Sequence, residues 1–126
     1  PVMVAVRDKA TRDQLSRMNA AVMGTDRDPF YGAPCVIVVL ADPGYPTWVE
    51  DGSLVLGNLL NAAHAAKLGS CWINRAREMF DTEEGKALLD KWGVPEHYRG
   101  IGCCILGYAD ETPAPKERAA NRIWKI

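Results

Sequence analysis

The chain has 126 residues, 48% of them hydrophobic and 25% charged, with a formal net charge of -1. Length and composition describe one ordinary globular domain, large enough for a real core. The near-neutral balance excludes the strong basic footprint of a nucleic-acid binder.

PVMVAV opens the chain with no initiator Met and no signal-peptide pattern, and reads as a strand over Val2 to Val6. A core strand at the very first residue creates the expectation that an upstream segment is missing from the chain as given. TRDQLSRMNAAVMG then has helical spacing, with a capping-box start at Thr11 and Gln14, an apolar stripe of Leu15, Met18 and Val22, and a stop at Gly24. TDRDPFYGAP is a turn-rich loop, and CVIVVLA is the continuous apolar run of a central strand covered on both faces.

DPGYPTWVED is a second loop, and Asp51 is the expected N-cap of a long helix reaching Leu68, stopped by Gly69. From Gly52 to Ala66 this helix carries no Asp, Glu, Lys or Arg. A helix apolar all round is buried; a domain this small cannot surround it alone, which predicts an extensive homodimer contact. SCWI is the next strand. DTEEGKALLDKWGVP reads as an amphipathic helix with Asp81 as N-cap, Glu84 three residues on, Leu88 and Trp92 on one face, and Gly93 and Pro95 at its end. RGIGCCILGY is a further strand. The tail ETPAPKERAANRIWKI is Pro-punctuated, yet its Ile123, Trp124 and Ile126 suit burial, so it is expected to wrap over something. Strands interleaved with helices indicate an α/β or α+β sandwich in a single domain over residues 1–126.

Cys35, Cys71, Cys103 and Cys104 sit in apolar runs without CxxC spacing, which suits free thiols in a reducing cytoplasm. Vicinal Cys103 and Cys104 must point to opposite faces of a strand. His64 and His97 lie far from any cysteine at ligand spacing, so no metal site is expected. His64 itself reads as a core or interface residue. No GxSxG elbow, P-loop, GxGxxG after a strand or HExxH occurs. The protein therefore borrows its reactivity from a cofactor or has none.

Two features suit a bound anion beside a flat ring. Lys116 and Arg118 bracket one residue of an extended tail, and alternation aims both side chains the same way, as a phosphate clamp requires; two solvated tail charges explain that spacing at least as well. Where CWI stops, the amides of Asn74, Arg75 and Ala76 lose their strand partners and can donate to a ligand or, as in a plain turn, to water. Tyr45, Trp48, Phe30 and Tyr31 read first as packing residues, with closure over a substrate as the alternative.

NLLNAAHAAKLGSCWINR, residues 58–75, closely resembles the nitroreductase family's pattern of a long helix, LG, a small residue, CWI and a flavin-facing loop. APCVIVVLAD before it, GIGCCILGYADE after it and PKER in the tail follow that family's order. The resemblance implies an α+β nitroreductase-like sandwich, with a mostly antiparallel central sheet flanked by helices and a helix-mediated dimer. It implies an FMN-dependent oxidoreductase drawing hydride from NADPH or NADH and passing electrons to a nitroaromatic, quinone or similar small-molecule acceptor. FMN would lie at the homodimer interface, embraced by the tail, with no nucleic acid and no membrane involved. By the same resemblance Ile73, Asn74 and Arg75 border the flavin, with the backbone amide at Asn74 donating to N5 and Arg75 following it, and Lys116 and Arg118 bind its phosphate. Pro1 is all that could remain of the family's amino-terminal flavin-binding signature. Asn-Arg departs from the Gly or Glu-Gly common in this loop and leaves the side-chain roles open. A flavin-binding or storage module with little turnover, and a purely structural dimerisation fragment, are the alternatives.

Overall fold

A computed structural model describes residues 1–125; Ile126, expected above to be buried, lies outside them. In chain order the elements are β1 (Val2–Val6), α1 (Lys9–Met23), β2 (Cys35–Ala41), α2 (Trp48–Ala65), β3 (Gly69–Ile73), α3 (Ala76–Phe80), α4 (Glu83–Lys91) and β4 (Arg99–Gly107). The strands form one sheet in the order β1-β2-β4-β3, and every pairing is antiparallel. The predicted α+β class holds, and the β-branched run CVIVVLA is indeed a central strand.

The sheet has two unequal faces. On one, Leu15 and Met18 of α1, Met79 and Phe80 of α3 and Leu88 and Leu89 of α4 pack with Val36, Val38, Cys103 and Ile105 in the main core. On the other, Val39, Leu56 and Cys104 form a smaller cluster covered by α2. Cys103 and Cys104 thus enter different layers, as strand alternation requires. A bulge between Val39 and Leu40 lets Leu40 pair with Gly100 while Val39 pairs with Gly102.

Helix starts depart from the sequence expectations. The N-cap of α1 is Asp8, whose carboxylate accepts from the Thr11 amide (2.8 Å) and hydroxyl (2.7 Å), while Gln14 reaches Glu84 on α4 instead of closing a capping box. Gly24, at φ 65°, ends α1 as expected. α2 begins earlier than Asp51, after Thr47, and Asp51 lies in its first turn, where its carboxylate suits the helix dipole. It ends at Ala65 because Lys67 takes the left-handed turn (φ 59°), so Gly69 is free to open β3 opposite Gly107. The N-cap of α4 is Thr82 rather than Asp81; Asp81 instead closes α3, a helix that the sequence reading did not anticipate.

The all-round burial expected of α2 is not met within one chain. Only Gly52, Leu56 and Ala63 are buried, Leu54 is 69% exposed and His64 is exposed rather than in a core, because α2 alone covers this face. The tail is likewise uncovered: Ile123 and Trp124 are 82% and 81% exposed.

The loop before β2 is tied to α1 by a compact charge network. Asp28 accepts from Arg12 (2.5 Å), Ser16 Oγ (2.6 Å) and the amides of Phe30 (2.9 Å) and Gly32 (2.7 Å). Arg12 also donates to the Ala33 carbonyl (2.9 Å) and lies over the Phe30 ring. Phe30 is fully buried, which overturns a lid role for it, whereas Tyr31 stays exposed. Burial pushes the Asp28 carboxyl up, but the hydrogen bonds from Arg12, Ser16 and the loop amides outweigh it and hold the group well below its ordinary 3.8. A depressed carboxyl contributes stability above its unfolded value and loses it as pH falls through the folded one. Asp28→Asn is expected to lower stability at pH 7 by about 2 kcal/mol and to flatten the loss below about pH 4, measured by urea unfolding across pH.

Candidate functional site

β3 ends at buried Ile73, opposite Cys103, and the chain leaves the sheet through Asn74 and Arg75. Arg75 adopts a left-handed conformation (φ 78°, ψ 7°) and precedes α3 without a side-chain cap. For a residue with a Cβ this conformation costs about 1–3 kcal/mol and persists only where the surroundings impose it. The Arg75 side chain turns to Glu78 (3.0 Å). The Glu78 carboxyl lies below its ordinary value, first through its own backbone amide and then through Arg75.

Two contacts hold this loop from beneath. Asn19 of α1, fully buried, donates from Nδ2 to the Asn74 carbonyl (2.8 Å) and meets Met79 Sδ at 3.2 Å; its Oδ1 has no hydrogen-bond partner. Gly100 of β4 lets α3 rest on the sheet: a Cβ there would stand 2.3 Å from the Ala76 carbonyl oxygen and 2.8 Å from the Arg77 nitrogen. Above the loop the chain offers donors. Among the described residues the amides of Asn74, Arg75 and Ala76 find no backbone acceptor outside the helices and strands, as strand and helix ends leave them.

Neighbouring charge is largely committed. Arg99 pairs with Asp81, and Arg77 lies over the Trp48 ring, 4.7 Å from its centroid, so Trp48 packs at the start of α2. Pro1 joins this end of the sheet, lining a recess of about 310 Å³ with Asp42, Tyr45, Trp48 and Tyr98. Lys116 and Arg118 are both exposed, on a tail that leaves β4 at Gly107, the opposite end of the sheet from Ile73. That far end holds a larger recess of about 790 Å³, lined by Tyr31, Pro34, Cys71, Leu106 and Tyr108.

No side chain here is a ready nucleophile. Burial pushes the Cys103 thiol up to about 12 and Cys104 up to about 11, so both stay protonated at neutral pH. Among the described residues no three His, Cys, Asp or Glu side chains cluster as a metal site would require, and no helix is long and apolar enough to cross a membrane. The strand end can donate hydrogen bonds and exclude water from below, and any redox chemistry there must come from a bound group.

Residues 3–109 match the sequence profile of the Nitroreductase family. The chain belongs to that family. A relative from Archaeoglobus fulgidus, named "Putative NADH dehydrogenase/NAD(P)H nitroreductase", is 34% identical over 111 residues, 83% of this chain and 59% of its own length. A Methanothermobacter thermautotrophicus protein of the same name is 34% identical over 91 residues, 68% of this chain and 45% of its own. The chain thus spans about half the length of these curated relatives. Among solved structures, a nitroreductase with bound FMN from Bacteroides fragilis has a TM-score of 0.87 at 26% identity, covering 99% of this chain and 75% of that one. A second, from Desulfitobacterium hafniense, has a TM-score of 0.84 at 22% identity over 98% and 74% of the two chains, and supports the nitroreductase fold alone.

The sequence places the candidate site at Ile73, Asn74 and Arg75 but does not reveal α3, Gly100 and Asn19, which hold that loop. A signal for Asn19 was present: it falls four residues after Leu15, on the buried stripe of α1, where a polar side chain needs a partner. Gly100→Ala is expected to destabilise the nitroreductase fold by about 2–3 kcal/mol, because the atoms it would strike are backbone; thermal unfolding of the variant measures this.

Proposed function

We propose that this chain is an FMN-dependent oxidoreductase that takes hydride from NADPH or NADH and passes electrons to a nitroaromatic, quinone or similar acceptor. The observation that carries the reading is the strand end at Ile73–Ala76, whose amides at Asn74, Arg75 and Ala76 find no backbone acceptor outside the helices and strands among the described residues, in a member of the nitroreductase family. The residues present fit such a group: amide donors suit the heteroatom edge of a flavin ring, and Lys116 and Arg118 suit its phosphate. Bound FMN would supply the hydride-accepting atom, so the protein needs no nucleophile of its own. Asn74 and Arg75 would offer backbone donors to the ring, with buried Ile73 separating it from the core, and Pro1 lies at this same end of the sheet.

Because the tail leaves the far end of the sheet, Lys116 and Arg118 would serve a site shared with a second copy. The uncharged stretch of α2 from Gly52 on and the exposed Leu54, Ile123 and Trp124 support such a homodimer. Four free cysteines suit a cytoplasmic location.

An anaerobic visible spectrum tests the reading: the protein is loaded with FMN, excess is removed, and NADPH or NADH is added. Loss of a retained flavin band is the expected result. Retention of FMN without nicotinamide oxidation would favour a storage module, and no retention would defeat the reading. Lys116→Ala and Arg118→Ala are each expected to weaken FMN binding about tenfold, by fluorescence titration, with little change in folding stability since both side chains are exposed.

A further inference from the structure

Asn19 is an odd residue for its place. It is fully buried on the core face of α1, donates from Nδ2 to the Asn74 carbonyl and to Met79 Sδ, and among the described residues leaves Oδ1 unpartnered, an arrangement that stability alone does not favour. What the bond does follows from peptide geometry. Among the described residues no peptide bond is cis, and in a trans peptide the carbonyl and the next N–H point in opposite directions. With the Asn74 oxygen held inward by Asn19, the Arg75 N–H must point outward, away from the core. The same orientation forces Arg75 to the left-handed φ of 78°. Turning this one peptide plane over would make the φ of Arg75 negative, a region that any residue adopts freely, and would swing its N–H inward. The two orientations therefore compete: the backbone of Arg75 favours one and the Asn19 amide the other.

We propose that Asn19 is a positioning residue that locks the Asn74–Arg75 peptide with its N–H facing out, so that the Arg75 amide is the donor offered at the strand end. As a donor to the flavin ring, that amide rests on the function proposed above; the lock itself does not. Glycine at residue 75 would hold the outward orientation without help, since it accepts positive φ at no steric cost. Arginine there makes this chain depend on Asn19.

The test uses Asn19→Leu, which removes the donor at similar volume, Arg75→Gly, and the double variant, all in the full chain. Peptide orientation is read from crystal structures, or from the NOE between the Asn74 Hα and the Arg75 amide proton; FMN affinity is read by fluorescence titration. Asn19→Leu is expected to turn the peptide over and weaken FMN binding about tenfold. Adding Arg75→Gly should return the outward orientation and bring affinity to within about threefold of the parent, a recovery that loss of packing alone would not allow. Arg75→Gly by itself should keep the N–H facing outward, since glycine accepts the positive φ at no steric cost. An outward N–H in Asn19→Leu, or no recovery in the double variant, overturns the proposal. If Asn19→Leu fails to fold, Asn19→Ser, too short to reach the carbonyl, takes its place with the same expectations. A parent protein that binds no FMN would sink the oxidoreductase reading, while the orientation readout would still decide the role of Asn19.

Discussion

The backbone of α3 lies directly against β4, and it can do so only because residue 100 has no side chain. That approach puts the turn after β3 above the sheet rather than beyond it. From there Met79 and Phe80 reach the main core, and Asp81 comes within reach of Arg99. The bulge at Val39 and Leu40 belongs to the same arrangement, since it places Gly100 in register with Leu40. A strand end that would otherwise project into solvent is thereby held from below by α1 and from one side by α3.

The two faces of the sheet are finished to different degrees. The face under α1, α3 and α4 closes with fully buried Phe30, Leu15, Met79 and Leu89. The other has α2 alone, docked through Gly52 against Ile101 and through Leu56 over Gly102, with Trp72 also pressed on Gly102. Trp72 Nε1 is buried there without an acceptor. The face under α2 is thus left partly uncovered, and Ile123 and Trp124 of the tail stand exposed as well.

Much of the architecture was legible because it rests on period and punctuation. The β-branched run of Cys35–Ala41 could only be a covered strand, and Gly24 could only end a helix. Strand alternation alone separated Cys103 from Cys104. Caps were misread where a nearby competitor existed: Asp8 preceded Thr11, and Thr82 followed an Asp81 already claimed by the end of α3. The site was legible only in its strand, Ile73 to Arg75. Its support comes from residues 19 and 100, which reach the loop by tertiary contact, and no local pattern records such contacts. Within one chain α2 buries only Gly52, Leu56 and Ala63, in keeping with the expectation that a domain this small does not surround an uncharged helix alone.

The placement of the vicinal cysteines has a practical corollary. Cys103 belongs to the thick layer and Cys104 to the thin one, while Cys71 stands exposed on the edge strand. Modification by a thiol reagent requires that a layer open, and opening free energies differ across a structure. Of the four thiols Cys71 is therefore open to a reagent in the folded chain and Cys35 is half-covered, whereas Cys104 is reached only where the sheet parts from α2 and Cys103 only where the thick layer opens.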